Sequence, residues 1–148
     1  MRFLKEIKLL SSLHHPNIVL FIGACIVKPN VCLVMEMLNK GNLFDFIHSE
    51  ETKSREKVEN DALMIKFAID IVRGMKYLHH KAKVIQRDLK SRNLLIDDMY
   101  TVKVCDFGLS RLDGRDSAGN FQSEGTPYWV APEVIKKEVA GTQADVYR

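Results

Sequence analysis

Gln86-Arg87-Asp88-Leu89-Lys90-Ser91-Arg92-Asn93 is the stretch on which the reading of this chain turns. Further on, Asp106-Phe107-Gly108 sets a second carboxylate before a Phe-Gly turn, and Ala131-Pro132-Glu133 comes after it. An Asp and an Asn on one loop, with another Asp before a turn, can gather a hydroxyl, two metal ions and a triphosphate. Each short run could arise by chance. All three in this order, at plausible spacing, almost cannot.

Outward from that centre, the bulk properties are those of one folded unit. The 148 residues suit a single domain with a real core. The formal charge of +3 is modest, and Lys and Arg are interspersed with Asp and Glu, so no nucleic-acid surface is expected. The longest apolar run, Ile18 to Val27 broken by Gly23, is too short to span a bilayer, so no membrane segment is expected. Met1 to Glu6 carries charge within its only apolar run, which argues against a signal peptide. Cys25, Cys32 and Cys105 are odd in number and lack metal-ligand spacing. They read as reduced thiols, implying a cytoplasmic protein.

Phe3, Leu4, Ile7, Leu10 and Leu13 recur at helical spacing, predicting a helix from Met1 to about Leu13 that ends before Pro16. Ile18–Gly23 and Val31–Met35 are predicted strands joined by a turn at Pro29-Asn30. Asn39–Asn42 reads as a loop before a short helix starting at Leu43, and Ser49–Asn60 as a charged, solvated connection. Leu63, Ile65, Phe67, Ala68, Ile71, Val72, Met75 and Leu78 predict a long, well-buried helix over Asp61–His80. Leu94–Ile96 and Thr101–Val104 read as short strands around Asp97-Asp98, and Asp113–Glu124 as a mobile polar loop.

The order of these motifs and elements resembles the protein-kinase family over essentially the whole chain. That resemblance implies an α+β, protein-kinase-like two-lobe fold in truncated form. Helix C and strands 4–5 of the small lobe would be followed by the first half of the mainly helical large lobe. Residues 1–148 would form a partial kinase domain. Within it, 1–38 would be the remnant of the small lobe and hinge, and 39–148 the N-terminal half of the large lobe with its catalytic loop and activation segment. The family's Gly-rich loop and ATP-orienting Lys have no counterpart within these residues; no Gly-x-Gly-x-x-Gly occurs.

The resemblance also assigns roles, with ATP and Mg²⁺ as cofactors. Asp88 would orient the substrate hydroxyl and accept its proton, Lys90 would neutralise the transferring phosphate, and Asn93 and Asp106 would hold metal through oxygen. Met35 occupies the gatekeeper position, Glu36 to Leu38 the hinge, and Leu95 the floor of an adenine pocket. Glu6 resembles the helix-C Glu that pairs with the ATP-orienting Lys; alone, it is an exposed helix charge. Arg87 could pair with a phosphorylated residue of the activation segment, where Ser117 and Ser123 are candidates, with Thr126 and Tyr128 behind them. Thr126 also resembles the residue that packs on the catalytic Asp and Lys, and Glu133 closes the segment. Cys105 either faces bound nucleotide or is a small buried hydrophobe.

Asp145 resembles the Asp that accepts hydrogen bonds from the catalytic-loop backbone, bracing Gln86 and Arg87. Leu10, Phe21, Gln86 and Phe107, followed by Gly108, resemble four stacked positions linking the lobes. Two residues depart from the family: Gln86 stands where His is usual, and Arg148 where a small Ser is common. Gln lacks the flat ring that would pack on Phe107.

Lys90 and Gly125-Thr126-Pro127-Tyr128-Trp129 favour Ser/Thr over Tyr specificity. His15-Pro16-Asn17 and Phe21-Ile22-Gly23-Ala24-Cys25 look like the tyrosine-kinase-like group, the relatives of Raf and mixed-lineage kinases. The expected function is ATP-dependent phosphoryl transfer to Ser/Thr hydroxyls of protein substrates in signal transduction. The alternatives are an inactive kinase-like fragment serving as an interaction module, or a truncated gene model. Strands without sheet neighbours and a helix without later large-lobe partners should expose apolar faces that a partner or further lobe segments would cover.

Overall fold

The computed structural model describes residues 2–49, 61–108, 110–112, 127–138 and 141–148. Helix α1 (Arg2–Leu10) opens the chain. It is shorter than the periodicity suggests, because Ser11 and Ser12 turn their hydroxyls back onto the Lys8 and Leu9 carbonyls. That gives the last turn an alternative to helix continuation. Leu13 is still buried, but from the turn.

Strands β1 (Phe21–Cys25) and β2 (Cys32–Met35) pair antiparallel as a two-stranded sheet. The first lies later than predicted. Ile18 and Val19 are instead drawn to β5 (Val102–Val104), through a parallel bridge from Ile18 to Val104 and a Val19 N–H to Val104 O bond of 3.0 Å. Beside them, the buried Asn17 donates its side-chain amide to the Val102 carbonyl at 3.0 Å, and its own carbonyl accepts Val104 N–H at 2.9 Å.

Helix α2 (Leu43–His48) begins where Asn42 caps it, the Asn42 Oδ1 accepting Asp45 N–H at 2.9 Å. The charged stretch 50–60 lies outside the described residues. Helix α3 (Asp61–Lys76) then runs into a π-helical turn, Tyr77–Ala82, that ends on the left-handed Lys83 at φ +55°. The single long α-helix expected to His80 is therefore corrected at its last turn. Its burial is corrected as well. Phe67, Asp70, Gly74, Met75 and Leu78 are buried, whereas Ile65, Ile69 and Val72 are 59%, 45% and 63% exposed. These three recur at i, i+4 and i+7, so they form one stripe facing away from the core.

Gly74 is the tightest point of that packing. A Cβ there would lie 2.7 Å from the Asn17 carbonyl oxygen, so only glycine lets α3 approach this close. Tyr77 secures the same junction by accepting His14 N–H at 2.9 Å while its ring stacks on His15.

Strand β4 (Leu94–Ile96) pairs with β5 around Asp97, whose Oδ1 accepts both Met99 and Thr101 N–H. A further antiparallel pair, β3 (Val84–Ile85) with β6 (Arg111–Leu112), has no counterpart in the sequence expectation. Short helices α4 (Pro132–Ile135) and α5 (Gln143–Tyr147) close the chain. One core joins Leu10, Leu13 and Ile18 to Phe67, Leu78, Ile96, Val104 and Phe107. The architecture is α+β, with the Gln86–Asn93 loop and the Asp106 turn emerging side by side from its middle.

Candidate active site

Strand β3 delivers the chain into Gln86, and a single carboxylate fixes the loop that begins there. Asp145, fully buried at the head of α5, accepts Gln86 N–H on Oδ2 and Arg87 N–H on Oδ1, both at 2.8 Å. His79 Nε2 reaches the same Oδ2 at 2.9 Å. Two backbone donors on one charged acceptor hold Arg87 at φ +68°, a conformation unfavourable to a residue with a side chain.

The next residue points its carboxylate into a set of donors. Asp88 Oδ2 receives Lys90 Nζ at 2.7 Å and Asn93 Nδ2 at 3.0 Å. Asn93 Nδ2 also binds the Asp88 carbonyl at 2.8 Å, and Asn93 N–H caps Lys90 O within a 3₁₀ turn, Ser91–Asn93. Asp88, Lys90 and Asn93 are thus brought together as three side chains.

Gln86 is completely buried and bonds in three directions. Its Nε2 donates to the carbonyls of Asp106 at 3.0 Å and Cys105 at 3.2 Å, and its Oε1 accepts Asp88 N–H at 2.6 Å. Gln86 lacks the flat ring of the usual His but keeps the capacity to hydrogen-bond. In the structure its amide joins both halves of the site through main-chain groups. Leu10 and Phe107 are buried in the common core, with Phe21 packed against it.

Asp106 turns out of β5 at φ +57° and is exposed, its Oδ1 accepting Gly108 N–H at 3.3 Å. Cys105 N–H donates to the Asn93 carbonyl at 3.0 Å, tying the turn to the loop. Burial, reinforced by the neighbouring Asp106 carboxylate, pushes the Cys105 thiol up to about 12. It is the small buried hydrophobe of the two readings. Glu6 approaches from α1, its Oε1 3.9 Å from where a Cβ on Gly108 would sit.

The donor chemistry suits Mg²⁺. Asp106 and Asn93 offer hard oxygen donors. A small oxygen set is what Mg²⁺ uses when phosphates and water complete its shell. Around the expected adenine position, Met35 is partly exposed and Leu38 and Leu95 are half-buried. Glu36 is occupied structurally: its N–H donates to Leu20 O at 3.0 Å, Oε1 accepts Leu20 N–H at 2.7 Å, and its carboxylate pairs with Lys103 at 2.7 Å.

Lys103 and His79 are contributors that sequence reasoning missed. Lys103 sits three residues before Asp106, and alternation along β5 places it opposite the buried Val102 and Val104, which was signal enough for a paired charge. His79 carried no signal. Arg148 was noticed only as a departure. Its side chain is 2% exposed, with Nη1 4.0 Å from Asp88 Oδ1, and its Nε and Nη1 make no hydrogen bond among the described residues. Burial lowers its guanidinium below the usual range against the opposing pull of Asp145 and Asp88. Glu133 is half-buried at the start of α4, and Tyr128 is exposed. Ser117, Ser123 and Thr126 lie outside the described residues.

Comparison with known proteins places this geometry in context. The family model described as protein kinase domain matches residues 1–148. Serine/threonine-protein kinase CTR1 of Arabidopsis thaliana is 44% identical over 146 residues, 98% of this chain and 17% of that protein. Serine/threonine/tyrosine-protein kinase HT1, also of Arabidopsis thaliana, is 45% identical over 148 residues, 99% of this chain and 36% of that protein. Probable serine/threonine-protein kinase drkA of Dictyostelium discoideum is 38% identical over 146 residues, 98% of this chain and 22% of that protein. The chain therefore spans well under half the length of these relatives.

Proposed function

The chain belongs to the protein-kinase family, and on that premise we propose that it carries the phosphotransfer centre of an ATP-dependent Ser/Thr protein kinase of the tyrosine-kinase-like group. The observation that carries the reading is the convergence of Lys90 and Asn93 on one oxygen of Asp88, braced from behind by Asp145. Similarity to proteins named as Ser/Thr kinases supports the choice of hydroxyl.

In this reading residues 1–38 supply helix C, strands 4–5 and the hinge, and 39–148 the first half of the large lobe. Asp88 holds the substrate hydroxyl in line and takes up its proton. Lys90 shares its charge between that carboxylate and the incoming phosphoryl group. Asn93 and Asp106 hold Mg²⁺, which when bound supplies charge neutralisation on the phosphates. Met35, Leu38 and Leu95 line the nucleotide base. Gln86 and Asp145 touch no reactant; they fix the loop and the metal-binding turn relative to one another. Pre-set positioning of this kind is most of what phosphoryl transfer asks of a protein.

The test is transfer of labelled γ-phosphoryl from Mg·ATP to a Ser/Thr-rich protein. Label on Ser and Thr that falls by about 10²–10⁴-fold in Asp88→Asn supports the reading. No transfer by the wild type, label confined to Tyr, or transfer indifferent to Asp88→Asn contradicts it. The exposed Ile65–Ile69–Val72 stripe favours a second reading, an interaction module whose apolar face is covered by another chain or lobe segment.

A further inference from the structure

Strands β1 and β2 carry a relationship that spacing along the chain conceals. Their register sets Cys25 directly opposite Cys32. Both thiols are free, Cys25 half-buried and Cys32 exposed. Residues directly opposite on antiparallel strands project to the same face, with Cα atoms about 4.5 or 5.5 Å apart. A disulfide spans Cα separations of about 4.4–6.8 Å, so either pairing type lies within reach without moving the backbone. The contact that Cys25 Sγ makes here, 3.9 Å from the Val27 carbonyl, is a weak one that a rotamer change gives up.

We propose that Cys25 and Cys32 form a cross-strand dithiol that is a modification site for small disulfides of the glutathione class, which close it to a Cys25–Cys32 disulfide. The exposed Cys32 thiolate attacks one sulfur of the small disulfide, whose S–S bond breaks as one thiolate leaves. Cys25 thiolate then attacks Cys32 Sγ and expels the second. The two protons given up by the protein thiols end on the two released small thiols. The protein loses two electrons and the small disulfide gains them.

The third cysteine makes the site selective. Cys105 is buried, so it does not offer the access that exchange requires. The position gives closure a consequence. Strand β2 ends at Met35 and leads into Glu36 and Leu38, so the crosslink stiffens the β1–β2 hairpin, which abuts the proposed nucleotide hinge. An exposed cross-strand disulfide of this kind is readily reduced again. The dithiol itself does not depend on the kinase reading.

The test equilibrates the full chain with mixtures of reduced and oxidised glutathione, quenches with acid, alkylates, and weighs the proteolytic peptides. The expected product is the peptide bearing both Cys25 and Cys32, lighter by two hydrogen atoms, with Cys105 recovered fully alkylated. Native chain should close at an oxidised-to-reduced ratio at least about tenfold lower than chain in concentrated guanidinium chloride, because the hairpin holds the sulfurs together. Cys25→Ser should stop at a stable glutathione adduct on Cys32. Mixed adducts that persist in the wild type, closure no easier in the native than in the denatured chain, or equal modification of Cys105 would overturn the proposal.

Discussion

Gln86 Nε2 donates to the Asp106 carbonyl at 3.0 Å, so one buried side chain binds the proposed metal turn to the loop that carries Asp88. The same amide accepts Asp88 N–H through its oxygen. A residue that departs from its family's usual His thus serves as a joint made of hydrogen bonds.

Replacing that joint with an apolar residue of similar size is expected to destabilise the chain. Gln86→Leu leaves the Asp88 N–H and the Cys105 and Asp106 carbonyls to find new partners in a buried place. A loss of about 2–4 kcal/mol is expected, since a stranded buried polar group costs about 1–3 kcal/mol. Urea denaturation checks it. An unchanged midpoint would show that the joint contributes nothing.

Arg148 is expected to act against stability. Its buried guanidinium has two donors without hydrogen bonds among the described residues and faces Asp88 at 4.0 Å, short of a direct bond. Arg148→Met keeps the stem and removes the charge. A gain of about 1–4 kcal/mol in the urea midpoint analysis is expected, the range found when buried ionic groups give way to apolar ones. A loss of stability would mean that the pairing with Asp88 outweighs the cost of burial.

Acidification should loosen the junction between the first turn and α3. His15 Nδ1 accepts Asn17 N–H at 3.0 Å, which requires an unprotonated nitrogen. Burial, with help from the Arg73 charge, lowers the His15 pKa below its ordinary 6.5. The unfolded chain therefore takes up the proton first as pH falls. The contribution is fully present above 6.5 and is lost as pH drops through the lowered folded value. NMR titration of the imidazole should show the lowered midpoint, and His15→Gln should remove this part of the pH dependence. A midpoint at or above the ordinary value would contradict the arrangement.

Legibility in the sequence followed the range of the forces involved. The short helix at Leu43 and the β4–β5 hairpin are set by local periodicity, capping and turn chemistry and could be read directly. The grouping of Asp88, Lys90 and Asn93, by contrast, was expected from the family resemblance of their motif. The first strand was placed too early because Ile18 and Val19 are apolar for another reason, their contact with Val104 far along the chain. Helix α3 was read as well buried, with some apolar surface left uncovered, because apolar composition alone does not say which face finds a neighbour. The β3–β6 pair and the His79–Asp145 bond join residues distant in sequence, and neither leaves a periodic trace. Gln86 was legible as an exception, but its three bonds required coordinates.

The most direct test of the central claim is a thermal melt of the purified chain with and without excess Mg·ATP, for the wild type and for Asp106→Ala. A ligand that binds only the folded form, at about 100 times its dissociation constant, adds about 2.7 kcal/mol. The expected result is a cooperative transition that Mg·ATP raises in the wild type and leaves in place in Asp106→Ala. A transition indifferent to nucleotide in the wild type, or raised equally in both proteins, would contradict the assignment of Asp106 and its neighbours as a nucleotide–metal site.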